Sequence, residues 1–195
     1  MTIDPVTLEG QFIRLEPLSM AHHAGLVEAG LDEAIWRYMP QTMRTPEDMR
    51  AYIEAALEAQ AAGAALPFAT IDLASDRAIG STRFFSIDRP HRRLEIGWTW
   101  LGLAWQRTAA NTEAKYLMLR HAFETLECIR VEFKTDSLNE RSRAALLRIG
   151  AIEEGTFRNH MIMPDGRLRH SVYYSIIASE WPEVKARLEQ KLAAR

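Results

Sequence analysis

One stretch of this sequence combines hydroxyl side chains with the start of a helix, a combination suited to binding anions. It is WQRTAANTEAK, Trp105–Lys115, which lies between a strand-like run and a helix-like run. The first N–H groups of a helix have no partner inside the helix, and they attract anions, phosphates in particular. The turn therefore predicts a site for a phosphorylated ligand, with a merely capped helix start as the alternative.

The other reactive side chains favour structural roles. Cys128 stands beside Leu126 and Ile129, so a buried thiol is a better interpretation than an acyl-accepting nucleophile. The histidines show no paired spacing with acids or with the cysteine, so we expect no metal site. They are His22, His23, His91, His121, His160 and His170.

Composition and charge exclude several classes of protein. The chain has 195 residues, 47% hydrophobic and 26% charged, which is typical of a single globular domain over residues 1–195. A formal net charge of -2 and a pI near 6.3 argue against a nucleic-acid partner. No apolar run approaches the ~20 residues of a membrane helix, and no secretory signal is visible. Together with the single cysteine, these features predict a cytoplasmic protein.

Hydrophobic periodicity and turn residues predict the order of the elements. That order is strand 12–18, helices 20–31, 32–39 and 45–63, strands 66–73, 78–87 and 92–103, helix 111–126, strand 129–137, helix 138–150, strands 156–163 and 169–177, and a final helix. The predicted helix caps are Thr45, Asn111, Asn139 and Ser179 at N-termini and Gly150 at a C-terminus. The turn Pro164–Arg167 predicts that the last two strands form a hairpin.

This order predicts an α/β (α+β) fold. We expect a mixed, mostly antiparallel central sheet of about seven strands, flanked by helices and followed by a C-terminal helix. The strand–helix–strand segment from Trp105 to Phe133 predicts a right-handed parallel crossover. Such a crossover leaves the helix N-terminus beyond the end of the preceding strand, where a ligand can reach it.

Taken together, these segments resemble the GNAT superfamily of acyl-CoA-dependent N-acetyltransferases. The resemblance runs over nearly the whole chain, from GQFIRLEPL through LEIGWTWL and the turn to VEFKTDSLNERSRAALLRIGA. It is strongest to the branch that acetylates the N-termini of ribosomal proteins. The resemblance implies a GNAT-like fold, acetyl-CoA as cosubstrate and no metal.

In that family the turn has the pattern Gln/Arg-x-x-Gly-x-Gly/Ala, and its amides bind the pyrophosphate of coenzyme A. The pattern falls here on Gln106, Arg107, Thr108, Ala109, Ala110 and Asn111, followed by Thr112. Ala109 replaces the expected glycine, and Asn111 stands where glycine or alanine is usual. Alanine suffices if the position has a helical φ, so we expect the turn to keep its site, with Thr108 or Thr112 adding a hydroxyl group.

The resemblance assigns the segment NERSRAALLRIGA to the pantetheine arm of coenzyme A. The amide of Asn139 can both donate to and accept from the peptide-like arm. Ser142 is a candidate for a hydrogen bond to the departing thiolate, with a solvated helix serine as the alternative. Arg143 is a candidate for the ribose phosphate, with a solvated face as the alternative.

The resemblance also places Glu95 and Trp98 beside the acyl group, because both lie on the strand that borders it in the family. The attacking amine must be neutral, and Glu95 is the best candidate for the general base. A structural carboxylate paired with Arg92 or Arg93 is the alternative. Backbone amides near Trp98–Trp100 are expected to polarise the thioester carbonyl.

These features together predict an acetyl-CoA-dependent N-acetyltransferase that acts on a primary amine of a peptide or a small molecule. A non-catalytic acyl-CoA-binding module is the main alternative, and a helix-turn-helix DNA-binding protein is a distant third. The sequence leaves the acceptor open, and it leaves open whether the protein is a monomer or a homodimer. A cationic acceptor is hinted at only by the acids Glu28, Asp32, Glu33, Glu47 and Asp48.

Overall fold

The computed structural model describes residues 1–194, and its centre is one eight-stranded sheet. The strands are β1 (Leu8–Glu9), β2 (Ile13–Pro17), β3 (Ala65–Asp72), β4 (Arg77–Asp88), β5 (Arg93–Leu101), β6 (Arg130–Asp136), β7 (Ile152–Ile162) and β8 (Leu168–Ile177). Their order in the sheet is β1-β2-β3-β4-β5-β6-β8-β7. The predicted mixed, mostly antiparallel sheet is confirmed, and the two-residue β1 is the strand that the periodicity missed.

The one parallel pair in this sheet is β5 with β6, as the crossover predicted. Every other neighbouring pair is antiparallel, including the predicted hairpin of β7 and β8. Gly166 in the hairpin turn has φ 81, a conformation that glycine adopts without steric cost.

Six α-helices within residues 1–194 cover the sheet. They are α1 (His23–Gly30), α2 (Glu33–Trp36), α3 (Pro46–Ala61), α4 (Ala110–Arg120), α5 (Glu140–Ile149) and α6 (Trp181–Ala193). A π-helical turn over His121–Thr125 extends α4, and short 3-10 turns precede α1 and α4. The predicted helix over residues 32–39 is wrong in extent, because only the single turn α2 forms there.

The helices divide between the two faces of the sheet, and each face has its own apolar core. On one face, α4, α5 and α6 place Leu117, Leu146 and Leu188 against strand residues such as Val131 and Val172. On the other face, α1 and α3 pack mainly on β4 and β3. The sheet is therefore a rigid layer between two sets of helices, and the parallel pair β5–β6 lies near its middle.

The structure tests the predicted helix caps individually. Thr45 caps α3 with its side chain, Asn139 caps α5, and Gly150 ends α5 in the left-handed conformation with φ 99, as predicted. The Ser179 cap is wrong, because the N-cap of α6 is Glu180 and its side chain makes no capping bond.

None of the helices in residues 1–194 combines the length and the apolar character needed to cross a membrane.

Candidate functional site

The backbone of the turn before α4 accommodates alanine at position 109, where the family pattern has glycine. Ala109 is the N-cap of α4, with φ -67 and ψ -23, so its conformation is helical and does not need glycine. The left-handed residue of the turn is Arg107, with φ 66. The departure from the glycine pattern at Ala109 therefore has no steric consequence.

The start of α4 presents backbone donors that the protein itself leaves free. Within residues 1–194, the N–H groups of Asn111 and Thr112 have no protein acceptor. The predicted Asn111 cap is wrong: Thr108 Oγ1 accepts from Ala110 N–H at 3.2 Å, while its own hydroxyl donates to the Trp105 carbonyl at 2.7 Å. The Thr108 hydroxyl is thus occupied by the turn and Thr112 is buried, so the free donors are backbone amides.

Hydrogen bonds connect the turn to the start of α5. The two segments that the resemblance assigned to coenzyme A are therefore neighbours. Gln106 donates from its side-chain amide to the Leu101 carbonyl at 2.9 Å, and its side-chain oxygen accepts from Arg141. Because β5 and β6 are parallel, their carboxyl ends lie at the same edge of the sheet. The turn follows β5 and α5 follows β6, so both lie at that edge.

The N-terminus of α5 places two of the predicted side chains. Asn139 Oδ1 accepts from Ser142 N–H at 3.1 Å, which leaves the Asn139 amide nitrogen available as a donor. The half-buried Ser142 hydroxyl makes no hydrogen bond within the described part of the chain. Arg143 is not simply solvated, because it donates to the Tyr174 hydroxyl at 3.1 Å and pairs with Glu153 at 3.3 Å.

Beyond Glu95 the strands β5 and β6 separate. Their pairing consists of three residue pairs and ends at Glu95 opposite Glu132, whereas β6 stays paired with β8 as far as Asp136. The result is an opening between β5 and β6 that faces the edge where the turn and α5 lie. We call it the β5–β6 opening.

A bulge in β5 forms one side of this opening. The register with β4 shifts between Arg83 opposite Gly97 and Ser81 opposite Trp100, so Trp98 and Thr99 together oppose Thr82. Trp98 has φ 52, and its indole lies under the Arg83 guanidinium at 4.7 Å. The same guanidinium lies over the Tyr52 ring of α3, so the indole packs on the α3 side.

Glu95 is a buried carboxylate at the base of the opening. It is 4% exposed, and its Oε2 lies 3.5 Å from Lys134 Nζ on β6. Burial raises the pKa of Glu95, and the Lys134 ammonium only partly offsets that rise. The proposed pairing with Arg92 or Arg93 is wrong, because Arg93 binds Asp88 and Glu132 and Arg92 lies 3.9 Å from Glu127. A raised pKa makes this carboxylate a better proton acceptor than a solvated glutamate.

Glu95 belongs to a polar face of the sheet that the sequence did not predict. The polar face consists of Glu95, Lys134, Asp136, Arg169, Ser171 and Tyr173, which lie on β5, β6 and β8. Asp136 on this face is a charged residue that is only 1% exposed. Its carboxylate pairs with Arg167 at 2.5 Å, and Arg169 donates to Ser171 Oγ at 3.1 Å. Glu95 therefore has charged and polar neighbours on its own face of the sheet.

Two charged residues of α4 were also missed, although the sequence contains a signal for one of them. Lys115 precedes Leu119 by four residues, so it shares the apolar stripe of α4, and it is 4% exposed. Glu113 is 2% exposed and accepts hydrogen bonds from the backbone N–H groups of Gln11, Phe12 and Ile13. No local pattern predicts this second contact, because the partners are about a hundred residues apart in the chain.

Cys128 and His121 have structural surroundings. Cys128 is a buried thiol, and burial raises its pKa to about 11. His121 stacks on Phe84, with ring centroids 6.2 Å apart, so it has a packing role. Within residues 1–194 no group of three or more His, Cys, Asp or Glu side chains is placed to hold a metal ion.

Four of the five acids that hinted at a cationic acceptor have structural partners, and the exposed Glu47 is the fifth. Asp32 caps α2 and Asp48 completes the capping box of α3. Glu33 pairs with Arg44, and Glu28 pairs with Arg77. These contacts give Glu28, Asp32, Glu33 and Asp48 structural roles.

The chain is similar to known acetyltransferases. The Acetyltransferase (GNAT) domain family matches residues 13–152. YdaF of Bacillus subtilis (strain 168), named as a candidate ribosomal N-acetyltransferase, is 34% identical over 102 residues, which are 52% of this chain and 55% of YdaF. That match therefore spans only about half the length of the relative.

Solved structures extend the similarity to nearly the whole chain. The crystal structure of a candidate acetyltransferase from T. thermophilus is 38% identical, covers 98% of this chain and 100% of that chain, and has a TM-score of 0.89. RimJ of Mycobacterium smegmatis in complex with CoA-disulfide is 22% identical over 96% of this chain and 95% of that chain, with a TM-score of 0.83. This second likeness shows the fold alone.

The family match includes the turn before α4, both strands of the β5–β6 opening and all of α5. This chain belongs to the GNAT acetyltransferase family.

Proposed function

We propose that this protein transfers the acetyl group of acetyl-CoA directly to a primary amine, either a protein N-terminus or the amine of a small molecule. The observation that carries the proposal is the position of Glu95. It is a buried carboxylate with a raised pKa at the end of the β5–β6 pairing, and the free amides of the α4 start lie at the edge toward which these strands open. RimJ of Mycobacterium smegmatis, a fold relative, was solved with CoA-disulfide, which is consistent with this ligand.

The nucleotide half of coenzyme A belongs at the turn in this proposal. The amides of Asn111 and Thr112 and the positive end of the α4 dipole attract the pyrophosphate. Arg107 is exposed beside them and can add a cationic contact. Gln106, Thr108, Ala109 and Ala110 set the shape of the turn.

The pantetheine arm then enters the β5–β6 opening and carries the thioester toward the polar face. Asn139 is the proposed polar contact for the arm at the start of α5. We assign no direct ligand contact to Arg143, because protein groups occupy its guanidinium. Backbone amides of the bulge at Trp98 and Thr99 are the proposed donors to the thioester oxygen.

The chemical step is a direct transfer. The neutral amine attacks the thioester carbon, the new C–N bond forms, and the C–S bond breaks to release coenzyme A. Glu95 accepts the proton of the amine, directly or through water, and Ser142 donates a hydrogen bond to the sulfur as it leaves. The departing thiolate of coenzyme A takes up a proton from water, and Glu95 returns its proton to water, so the products are the acetylated amine and the free thiol.

Thiol release from acetyl-CoA tests this function with purified protein and a panel of amines, including short peptides with free N-termini. We expect amine-dependent release of coenzyme A and a mass increase of one acetyl group on the acceptor. Binding of acetyl-CoA without release by any amine would support the non-catalytic binding module instead. Absence of acetyl-CoA binding would contradict both functions.

A further inference from the structure

Lys115 is a buried cation that the proposed mechanism does not use. It lies on α4, is 4% exposed, and forms no salt bridge within residues 1–194. In the described part of the chain, its side chain makes one hydrogen bond, from Nζ to Thr99 Oγ1 at 2.6 Å. Lysine is almost never fully buried unless it is paired, because removing its charge from water is costly. A lone buried lysine therefore calls for an explanation beyond packing.

The amine of Lys115 contacts both strands of the β5–β6 opening from the α4 side. Thr99 is on β5, and Lys115 Nζ is 6.0 Å from the centroid of the Phe133 ring on β6. Thr99 comes after Glu95 on β5, and Phe133 comes after Glu132 on β6. Glu95 and Glu132 form the last residue pair between the two strands. Thr99 in turn shares a hydrogen bond of 2.8 Å with Thr82. The hydrogen bonds between Lys115 and Thr99 and between Thr99 and Thr82 therefore connect α4 to β5 and β4.

The amine retains unused hydrogen-bonding capacity in this position. An ammonium group has three donors and a neutral amine has two, while Thr99 takes one. Burial lowers the pKa of Lys115 to about 7, so the protein can hold the amine without a carboxylate partner. In both protonation states at least one donor is left for a ligand.

We propose that Lys115 binds the acyl-donor arm, donating from Nζ to an amide carbonyl of the pantetheine chain in the β5–β6 opening. This inference rests on the proposed function, since it requires coenzyme A as the ligand. The pantetheine arm carries amide carbonyls that need donors once they leave water. Lys115 supplies such a donor from below the opening, in addition to the donors of the β5 bulge.

Two ligands distinguish a contact with the arm from a contact with the nucleotide. Coenzyme A carries the arm, and adenosine 3′,5′-bisphosphate lacks it but keeps the charged nucleotide part. For Lys115→Met, which has similar length and no donor, we expect coenzyme A to bind about tenfold more weakly. The affinity for adenosine 3′,5′-bisphosphate should be unchanged. Isothermal titration calorimetry on the full chain measures both affinities.

Thermal unfolding without ligand separates this role from a structural one. If Lys115 serves the ligand, replacing an unpaired buried amine by an apolar group should leave the melting temperature equal or higher. If Lys115 serves the fold, the melting temperature should fall. Lys115→Leu provides a second apolar replacement should the Met variant fold poorly.

These experiments distinguish a failure of the proposed Lys115 contact from a failure of the proposed function. Unchanged coenzyme A affinity in the apolar variants would overturn the role of Lys115 and leave the transferase intact. An equal loss for both ligands would also overturn it, because the effect would then not depend on the arm. If the wild-type protein binds neither coenzyme A nor acetyl-CoA, both proposals fail.

Discussion

Lys134 Nζ lies 3.5 Å from Glu95 Oε2, and the two residues come from neighbouring strands of the parallel pair β5–β6. Their side chains are 21% and 5% exposed, so water screens this pair less than it would at the surface. Burial raises the pKa of Glu95 and Lys134 lowers it again in part. The protonation of the proposed base therefore depends on a residue that the sequence did not single out.

Lys134→Met should move the pH dependence of the reaction. The active form of Glu95 is the carboxylate, so kcat/KM falls as the pH falls through the pKa of Glu95. Removing the Lys134 ammonium removes the largest effect that lowers this pKa, so the pKa rises further and the acidic limb should shift to higher pH. Lys185→Met, at an exposed pair with Glu124 on the other side of the molecule, should not shift it.

Glu95→Gln should affect turnover and spare ligand binding. Glutamine keeps the shape of the side chain but cannot accept the proton, so kcat should fall by about 10²-fold or more. The affinity for coenzyme A, measured by calorimetry, should change little because the turn and the opening are untouched. Wild-type rates across the pH range would assign Glu95 a structural role.

Arg107→Glu tests the turn with a residue whose side chain is exposed and whose backbone is already left-handed. The reversed charge should repel the pyrophosphate, and coenzyme A should bind about 10- to 100-fold more weakly. Arg50→Glu on the exposed side of α3 is the matched control and should leave the affinity unchanged. Equal effects of the two substitutions would indicate a general loss of positive charge rather than a contact at the turn.

Proline at Ala110 is a poorer test of the same turn. Ala109 has a helical conformation, which a following proline disfavours, and the Ala110 N–H already binds Thr108. Such a variant would disturb the turn without removing one of its free donors.

Ser142→Ala should lower the rate modestly. The hydroxyl has no protein partner in the described structure, so its loss leaves no buried group unsatisfied. A thiolate is a tolerable leaving group, since an unperturbed thiol has a pKa of ~8.5, and a missing hydrogen bond should slow transfer by about 10- to 100-fold. Single-turnover transfer to a good acceptor measures this step. An unchanged rate would mean that Ser142 is only a helix residue.

Glu113→Gln should destabilise the fold. The carboxylate accepts from three successive backbone N–H groups, and an amide side chain has one acceptor oxygen and turns an NH2 group toward the others. Because these groups are buried or half-buried, we expect a loss of about 2–4 kcal/mol in the free energy of unfolding. Denaturant unfolding measures this change in the free energy of unfolding. Glu47→Gln, an exposed acid in the first turn of α3, should have little effect.

The sequence by itself determined the order of the elements and the position of the turn. Local signals suffice for these features, because the periodicity of the strands, the Thr45 and Asn139 caps and the Gly166 turn depend on neighbouring residues. The parallel pairing of β5 and β6 also followed, since a strand–helix–strand unit constrains the topology. With the family resemblance, these features were enough to indicate an acyltransferase fold.

The sequence alone did not settle which neighbouring group caps a helix. Asn111 and Thr108 are both capping residue types, and the backbone of the turn selected Thr108. The burial of Asp136 was likewise hidden, because alternation in β6 indicates two faces but not whether the second face meets solvent.

Only the tertiary structure decided the charged contacts of the site. Glu95 with Lys134 and Glu113 with the β1–β2 turn join residues that are far apart in the chain. Lys115 shares a helical stripe with Leu119, yet the stripe alone does not reveal an amine that contacts two separated strands. Such contacts arise where the sheet opens, and that opening is a property of strand pairing rather than of any local segment.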